Sequence, residues 1–353
     1  LYRAGITSPE RLEKTSIGRE EMLGDLLQKI EHSTGKRTHQ HYAFIGPRGV
    51  GKTHFLSLLV NRIESRAELR DKLTVVRFPE ETHRLLSFAD FLLRTCEILA
   101  QSDSDGEWQT LYEQLAEEDD DRRVIDTLEP KLNHYRQETG RVLLLLLENL
   151  DEVLTRQIKG SQDVHHLRKF LMTSPSCILV ATAPIMFPGL TDVERPFYDF
   201  IDVQVLDNLT QQQTVDAIRV NLQYDGREDL LDRFDELSPK IKALHEMTGG
   251  NPRLVMMHYS LMADEDVLEV QQQFAELLDQ ISPFYQDRIK DLPPQERAVL
   301  ETMALIREEL KTPALIARKL RKSPQQASSL LQRLTKSGYL VVTDHPNDKR
   351  SKV

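Results

Sequence analysis

Cysteine is almost missing from this chain: Cys96 and Cys177 are the two among 353 residues. Thiols that far apart offer no disulfide framework and no metal-ligand spacing, which fits a reducing cytoplasm. Cys177 falls inside an apolar run and reads as a core residue. The eleven histidines never adopt an HExxH spacing, and the adjacent His165 and His166 read as a partly exposed helix pair. No apolar run reaches the roughly 18 residues needed to cross a bilayer, and no signal-peptide pattern opens the chain, so no membrane partner is expected. Internal repeats are lacking too. The chain starts at Leu1 and stops at Val353 in mid-pattern, so both natural ends are expected to be missing.

What remains is the composition of an ordinary soluble protein, 39% hydrophobic and 29% charged, long enough for two or three domains. Its charge is unevenly spread. Residues 311–353 hold ten lysines and arginines against Asp344 and Asp348, a net of +8, whereas the chain carries −10 and the remainder therefore −18. An acidic body with a basic end points to a polyanion met by the end alone, the alternative being a solvated basic face.

Five apolar segments rich in leucine or β-branched residues are separated by helical patterns: His41–Ile45, Leu73–Phe78, Val142–Leu147, Cys177–Ala181 and Ile201–Val205. Continuous apolar strands alternating with helices predict an α/β fold, a parallel sheet with helices on both faces. The acidic stretch Asp103–Asp121 reads as a surface insertion whose role is solvation. Thr210–Met262 reads as mostly helical, with a capping-box spacing at Thr210 and Gln213 and a helix stop at Gly249 and Gly250. A third unit follows Asp291-Leu292-Pro293-Pro294.

The segment Gly46, Pro47, Arg48, Gly49, Val50, Gly51, Lys52, Thr53 satisfies GxxxxGK[ST] between the strand HYAFI and the helix THFLSLLVNRI. Glycines there let backbone N–H groups turn inward around phosphate oxygens. Lys52 is placed to reach terminal phosphates and Thr53 to ligate Mg²⁺, while the helix N-terminus, with His54 in its first turn, adds partial positive charge. ATP or ADP with Mg²⁺ is the expected cofactor set. Farther on, LLLLLENLDEV, Leu143 to Val153, reads as a buried strand that delivers a carboxylate.

The strand Leu73–Phe78 lies in sequence between the phosphate loop and that acidic strand. The two come together only if the sheet inserts a strand between them, the arrangement of the AAA+ and STAND branch of P-loop ATPases. IGRE at Ile17–Glu20, the phosphate loop, LLLLLENLD, LVATAP, VLDNLT and GGNPR occur in that family's order. Along most of its length the chain resembles it, especially archaeal-type ATPases and origin-recognition initiators. The resemblance implies that Glu148 holds the Mg²⁺ shell and that Asn149 stands where the family places a water-activating Glu. It further implies that Thr182 senses the γ-phosphate, Arg253 meets an anionic ligand from the lid, and Arg195 in ERPFYDF acts as an arginine finger on a neighbouring subunit. Ile17 and Gly18 would sit near adenine. The plainer alternatives are an ordinary strand-end Thr182, solvated Arg195 and Arg253, and an IGREE that simply opens a helix. An amide orients water but cannot take its proton, and general-base help is typically worth on the order of 10²–10⁴ in rate. Slow turnover is therefore expected: either Glu148 acts on the water itself, with Thr53 and water molecules completing the metal shell, or Asp151 or Glu152, which begin the next helix one turn further on, swings in.

At the basic end, Pro294–Ile306 predicts an amphipathic helix with Val299, Leu300, Met303 and Ala304 inward. Thr312-Pro313 and Ser323-Pro324 cap two more, the last with Ala327, Leu330, Leu331 and Leu334 inward. Gly338 stops it, and YLVVT followed by DHPNDKRSKV predicts a strand and a wing with Lys349 and Arg350 at its tip. The whole resembles a MarR-type winged helix. Gln325, Gln326, Ser329, Arg333 and Lys336 face outward as candidate DNA contacts, with Lys349 and Arg350 suited to a minor groove.

The expected architecture is thus a five-stranded parallel P-loop (AAA+-like) base over residues 1–207, an α-helical lid and linker helix over 208–285, and a C-terminal winged helix-turn-helix over 286–353. The expected function is an ATP-binding, slowly hydrolysing switch that controls duplex DNA binding and assembles into a homo-oligomer on ATP binding. A STAND-type signalling or antiphage switch with a protein partner, and a nucleotide-responsive transcription regulator, are the alternatives.

Overall fold

Leu143, Leu145 and Leu147 bury into one apolar cluster, Leu144 and Leu146 into another. A strand covered on both faces has no polar side, which is why the leucine run is continuous. Each such side chain contributes about 1.5–3 kcal/mol relative to leaving it in water. The structure, a computed structural model, describes residues 7–79, 85–158, 160–263, 289–290, 292–306, 312–336, 339–340, 344–345 and 348–352. The chain divides into two compact units, Leu1–Ala263 and Asp264–Val353.

The first unit opens with α1 (Pro9–Thr15) and α2 (Glu20–Thr34) and continues through β1 (His41–Ile45), α3 (Lys52–Ser65), α4 (Ala67–Arg70) and β2 (Leu73–Arg77). Next come α5 (Phe88–Ala100), α6 (Glu107–Leu115), α7 (Asp121–Thr139), β3 (Val142–Leu147), α8 (Leu150–Glu152) and a π-helical turn (Val153–Gln157). Then follow α9 (Ser161–Thr173), β4 (Cys177–Ala183), α10 (Pro188–Thr191) and β5 (Ile201–Val205). The sheet runs β2-β3-β4-β1-β5 with every pairing parallel, so β4 is the strand inserted between β1 and β3. Helices α1 to α4 cover one face, and α5, α6, α7 and α9 the other.

Two strands differ slightly from expectation. β4 extends to Ala183, and β2 ends at Arg77 although the Phe78 N–H still reaches Leu146 O at 3.0 Å. The acidic stretch is a larger correction. It contains α6, whose Trp108 and Leu115 are buried in the core beside α5 and α7. Its apolar stripe at Trp108, Leu111 and Leu115 is helical in period but hidden among acids. Both cysteines are buried, and burial pushes their thiols up to about 12. Helices α11 (Gln211–Tyr224), α12 (Glu228–Leu231), α13 (Phe234–Thr248) and α14 (Pro252–Ala263) complete the unit. Thr210 and Gln213 form the expected capping box, and Gly249 ends α13 with φ +60°. The linker helix expected up to residue 285 lies outside the described residues.

In the second unit, helices Pro294–Leu305, Pro313–Lys319 and Pro324–Lys336 enclose Val299, Ile306, Ile316, Leu330 and Leu334. Thr312 caps the second helix and Ser323 the third. Ala304, expected inward, is exposed, and Ile306 takes the buried place where the first helix ends. Tyr339 and Leu340 are not strand, and Gly338 and Val341–Thr343 lie outside the described residues. β6 (Asp344–His345) and β7 (Asp348–Lys352) pair antiparallel as the wing. Among the described residues no helix is long and apolar enough to cross a membrane.

Candidate functional site

The phosphate loop leaves β1 and enters α3 through Gly49 at φ +85° and Gly51 at φ +97°, left-handed conformations that glycine adopts without strain. The loop is also tightly walled. A Cβ on Gly46 would stand 2.5 Å from Leu206 O, and one on Gly49 would stand 2.6 Å from Asn251 Oδ1. Lys52 Nζ donates to Gly46 O at 2.7 Å and Pro47 O at 3.1 Å, holding its ammonium over the loop.

Glu148 leaves the end of β3 on the face that α3 covers. Thr53 Oγ1 donates to Glu148 Oε2 at 2.6 Å, and Arg77 from β2 approaches Glu148 Oε1 at 3.5 Å. Arg77 also donates to Ser57 Oγ at 3.2 Å. Sequence reasoning missed Arg77; its signal was a cation closing an apolar edge strand. A threonine hydroxyl beside a buried carboxylate is the hard-oxygen pair that suits Mg²⁺. The ladder pairs Leu147 with Ala181, so the next rung places Thr182 beside Glu148. Thr182 is fully buried, and its Oγ1 has no hydrogen-bond partner among the described residues.

Asn149 adopts φ +56°, ψ +47°. Asn is the non-glycine residue that tolerates this left-handed conformation best, so the backbone explains the amide where a Glu was expected. Two residues on, burial raises the Asp151 carboxyl above its ordinary value, while backbone N–H groups of the helix start and the Lys52 ammonium pull it down. Asp151 Oδ1 is buried without a hydrogen-bond partner among the described residues. Glu152 instead pairs with Arg156 at the surface, at 3.2 Å.

The separated sequence boxes converge around this loop. Asn251 Oδ1 accepts from Arg253 N and Leu254 N, capping α14, while its Nδ2 donates to Arg48 O at 3.1 Å. The Arg253 N–H donates to Gly49 O at 3.1 Å. GGNPR therefore grips the outside of the loop through Asn251 and through the Arg253 backbone, with the Arg253 side chain exposed. VLDNLT meets GGNPR as well: Leu209 N donates to Gly250 O at 2.9 Å and Asn208 Nδ2 to Gly249 O at 3.0 Å.

Arg19 of the IGRE box, which sequence reasoning passed over, is buried and ties three boxes together. Its guanidinium donates to Val50 O at 3.0 Å and Asp207 O at 2.7 Å. Burial lowers its pKa, opposed by Asp207. Beside it, Gly18 at φ +73° packs against Gln213, Ile17 is half-buried, and His54 is lowered to about 4, chiefly by burial and then by Arg19. From α1, Arg11 pairs with Asp225 at 2.9 Å and Glu13 with Arg62 at 3.1 Å, strapping the lid to α3.

Arg195 stands apart from this cluster, exposed in the segment between β4 and β5 and 3.8 Å from Asp192. In the second unit Gln325, Gln326, Ser329 and Arg333 are exposed on one helix, whereas nothing is described of the Lys336 side chain. Gln326 is engaged locally, its Oε1 accepting from Ser323 N at 3.2 Å. Arg333 lies 3.5 Å from the buried Glu296 carboxylate. Lys349 and Arg350 lie on the return strand β7 rather than at the tip, since His345 pairs with Asp348.

A parallel sheet in this order, a glycine-cradled lysine and a strand-end carboxylate define the AAA+ fold of P-loop ATPases, with a helical lid and a terminal winged helix. Residues 290–351 match the model of the MarR family. No curated protein matches the chain. Among solved structures the chain is similar to the Walker-type ATPase PABY2304 of Pyrococcus abyssi, at 14% identity and a TM-score of 0.66 over 96% of this chain and 93% of that one. It is also similar to the ORC1 protein of Aeropyrum pernix in complex with DNA, at 15% identity and a TM-score of 0.49 over 98% of this chain and 90% of that one.

Proposed function

We propose that the chain binds ATP at Gly46–Thr53, hydrolyses it slowly, and uses nucleotide state to control duplex DNA binding by its winged helix. Thr53 and Glu148 would hold Mg²⁺, which supplies charge neutralisation on the phosphates. The observation that carries the reading is the Thr53–Glu148 hydrogen bond across the loop whose outer face the lid grips through Asn251. Phosphoryl transfer relies mostly on positioning and electrostatics, which Lys52 and the loop N–H groups provide. Any shift of the loop carbonyls on nucleotide binding passes directly to Asn251 and α14. Assembly on ATP binding, with Arg195 reaching a neighbouring copy, belongs to the same proposal. The MarR-type match and the basic charge of the terminal residues support duplex DNA as partner.

The test pairs ATP titration with a DNA shift assay across salt. Expected are ATP binding lost in Lys52→Ala and DNA affinity that falls steeply with salt. Equal DNA affinity after replacing Arg333, Lys349 and Arg350 together by Ala would remove DNA from the proposal. Local engagement of Gln326 and Arg333 favours a second reading, a STAND-type switch whose winged helix docks on protein. ATP-dependent assembly on size exclusion without any DNA shift selects it.

A further inference from the structure

We infer that Asp151 is the catalytic carboxylate that takes the proton of the attacking water, the role Asn149 cannot fill; this rests on the ATP-site reading above. Glu148 is already committed at both oxygens, Oε2 to Thr53 and Oε1 toward Arg77. The Asn149 amide has no basicity to offer. Its left-handed backbone instead starts α8 at once, so Asp151 lies in the first turn after the acidic strand end. Of the two acids in that turn, Glu152 is turned to the surface by Arg156, and Asp151 lies within electrostatic reach of Lys52.

A second, independent observation marks the same place. α8 packs against β4, the strand that carries Thr182. Asp151 Oδ1 and the fully buried Thr182 Oγ1 are both without hydrogen-bond partners among the described residues, on elements that flank Glu148. Buried polar atoms left unpaired are costly, and a functional site is where a fold retains them. The π-helical turn Val153–Gln157 directly after α8 is a further irregularity of the kind found at such sites.

In the step itself the water oxygen forms a bond to the γ-phosphorus while the bond from that phosphorus to the β–γ bridging oxygen breaks. The electron pair leaves on ADP, and the water's proton passes to the Asp151 carboxylate and then to solvent.

The full chain with ATP and Mg²⁺ tests this through three readouts: ATPγS affinity, the ATP-to-ADP ratio of bound nucleotide after incubation, and steady-state turnover. Asp151→Asn is expected to lower turnover by about 100-fold or more, since general-base help is worth that much, with ATPγS affinity little changed and the bound nucleotide remaining ATP. Asp151→Glu recovers part of the turnover, and Glu152→Gln leaves it at the wild-type level. Wild-type turnover in Asp151→Asn overturns the inference and leaves the ATP site standing. So does a wild type that binds ATPγS but turns over no faster than Lys52→Ala. No ATPγS binding by the wild type overturns the site reading itself. Should Asp151→Asn fail to fold by thermal melt, Asp151→Glu decides: turnover at the Lys52→Ala background with intact affinity overturns the inference.

Discussion

The phosphate loop and the outward face of the third winged-helix helix are built on opposite plans. Around the loop, side chains from β2, β3, β4, α3 and α14 are drawn together, and most of their polar atoms are committed across elements. On the winged-helix face the candidates share one helix and stay exposed, with Gln326 bonded to Ser323 N and Arg333 near Glu296. A site assembled from distant segments answers sharply to single substitutions. A site laid out by helical period answers gradually, one charge at a time.

That contrast predicts a graded series. Lys52→Ala removes the central cation of the loop, and nucleotide-dependent turnover should fall on the order of 100- to 1000-fold, measured by phosphate release. Glu148→Gln should act in the same direction, and robust hydrolysis in that variant would remove Glu148 from the metal shell. Next comes acid sensitivity of the base. His41 is buried, with Nε2–H donating to Leu171 O and Nδ1 accepting from Leu179 N, so only the neutral ring fits, and burial lowers it to about 4. The unfolded ring titrates near 6.5, so the unfolded chain binds the extra proton first. Stability present above that value is lost as pH falls toward 4, by about 3 kcal/mol from this group alone. Thermal melts at neutral and acidic pH check it, and His41→Gln should flatten the dependence while lowering stability throughout.

Gly49→Ala puts a Cβ 2.6 Å from Asn251 Oδ1 at a left-handed position, and should destabilise the unit by about 1–3 kcal/mol in denaturant melts while loosening the lid. Asn251→Ala separates these effects, since it keeps the loop backbone and removes the clasp. Smallest is Arg333→Ala. If Arg333 meets a phosphate, the slope of log affinity against log salt should fall by about one, uniformly across DNA sequences. If its work is to neutralise Glu296, the slope stays and the thermal midpoint of the terminal unit drops instead.

Much of the fold was legible because its signals are local. All five strands announce themselves as apolar runs, and three of their ranges coincide with those expected. The phosphate loop needed only its glycine and lysine spacing, and the caps at Thr210, Thr312 and Ser323 needed only their neighbours. Helix α6 was hidden because the nine acids of Asp103–Asp121 outnumber its apolar stripe, and composition hides period. Arg19 and Arg77 escaped notice because nothing in IGRE or LTVVR tells which carbonyl or carboxylate an arginine will find.

By itself the sequence determined the element types, the phosphate cradle and the exposed face of the terminal helix, since each follows from spacing along a few turns or one strand. Only the tertiary structure decided where each acid at the end of β3 stands and what it touches. Placing β4 between β1 and β3 sets Glu148 against Thr53 and Thr182 beside it. The left-handed turn at Asn149 then starts α8, with Asp151 Oδ1 buried and Glu152 paired with Arg156 at the surface. Those outcomes depend on strand order and on one positive φ angle. Neither is encoded in any short run of residues, because both arise from how distant segments pack.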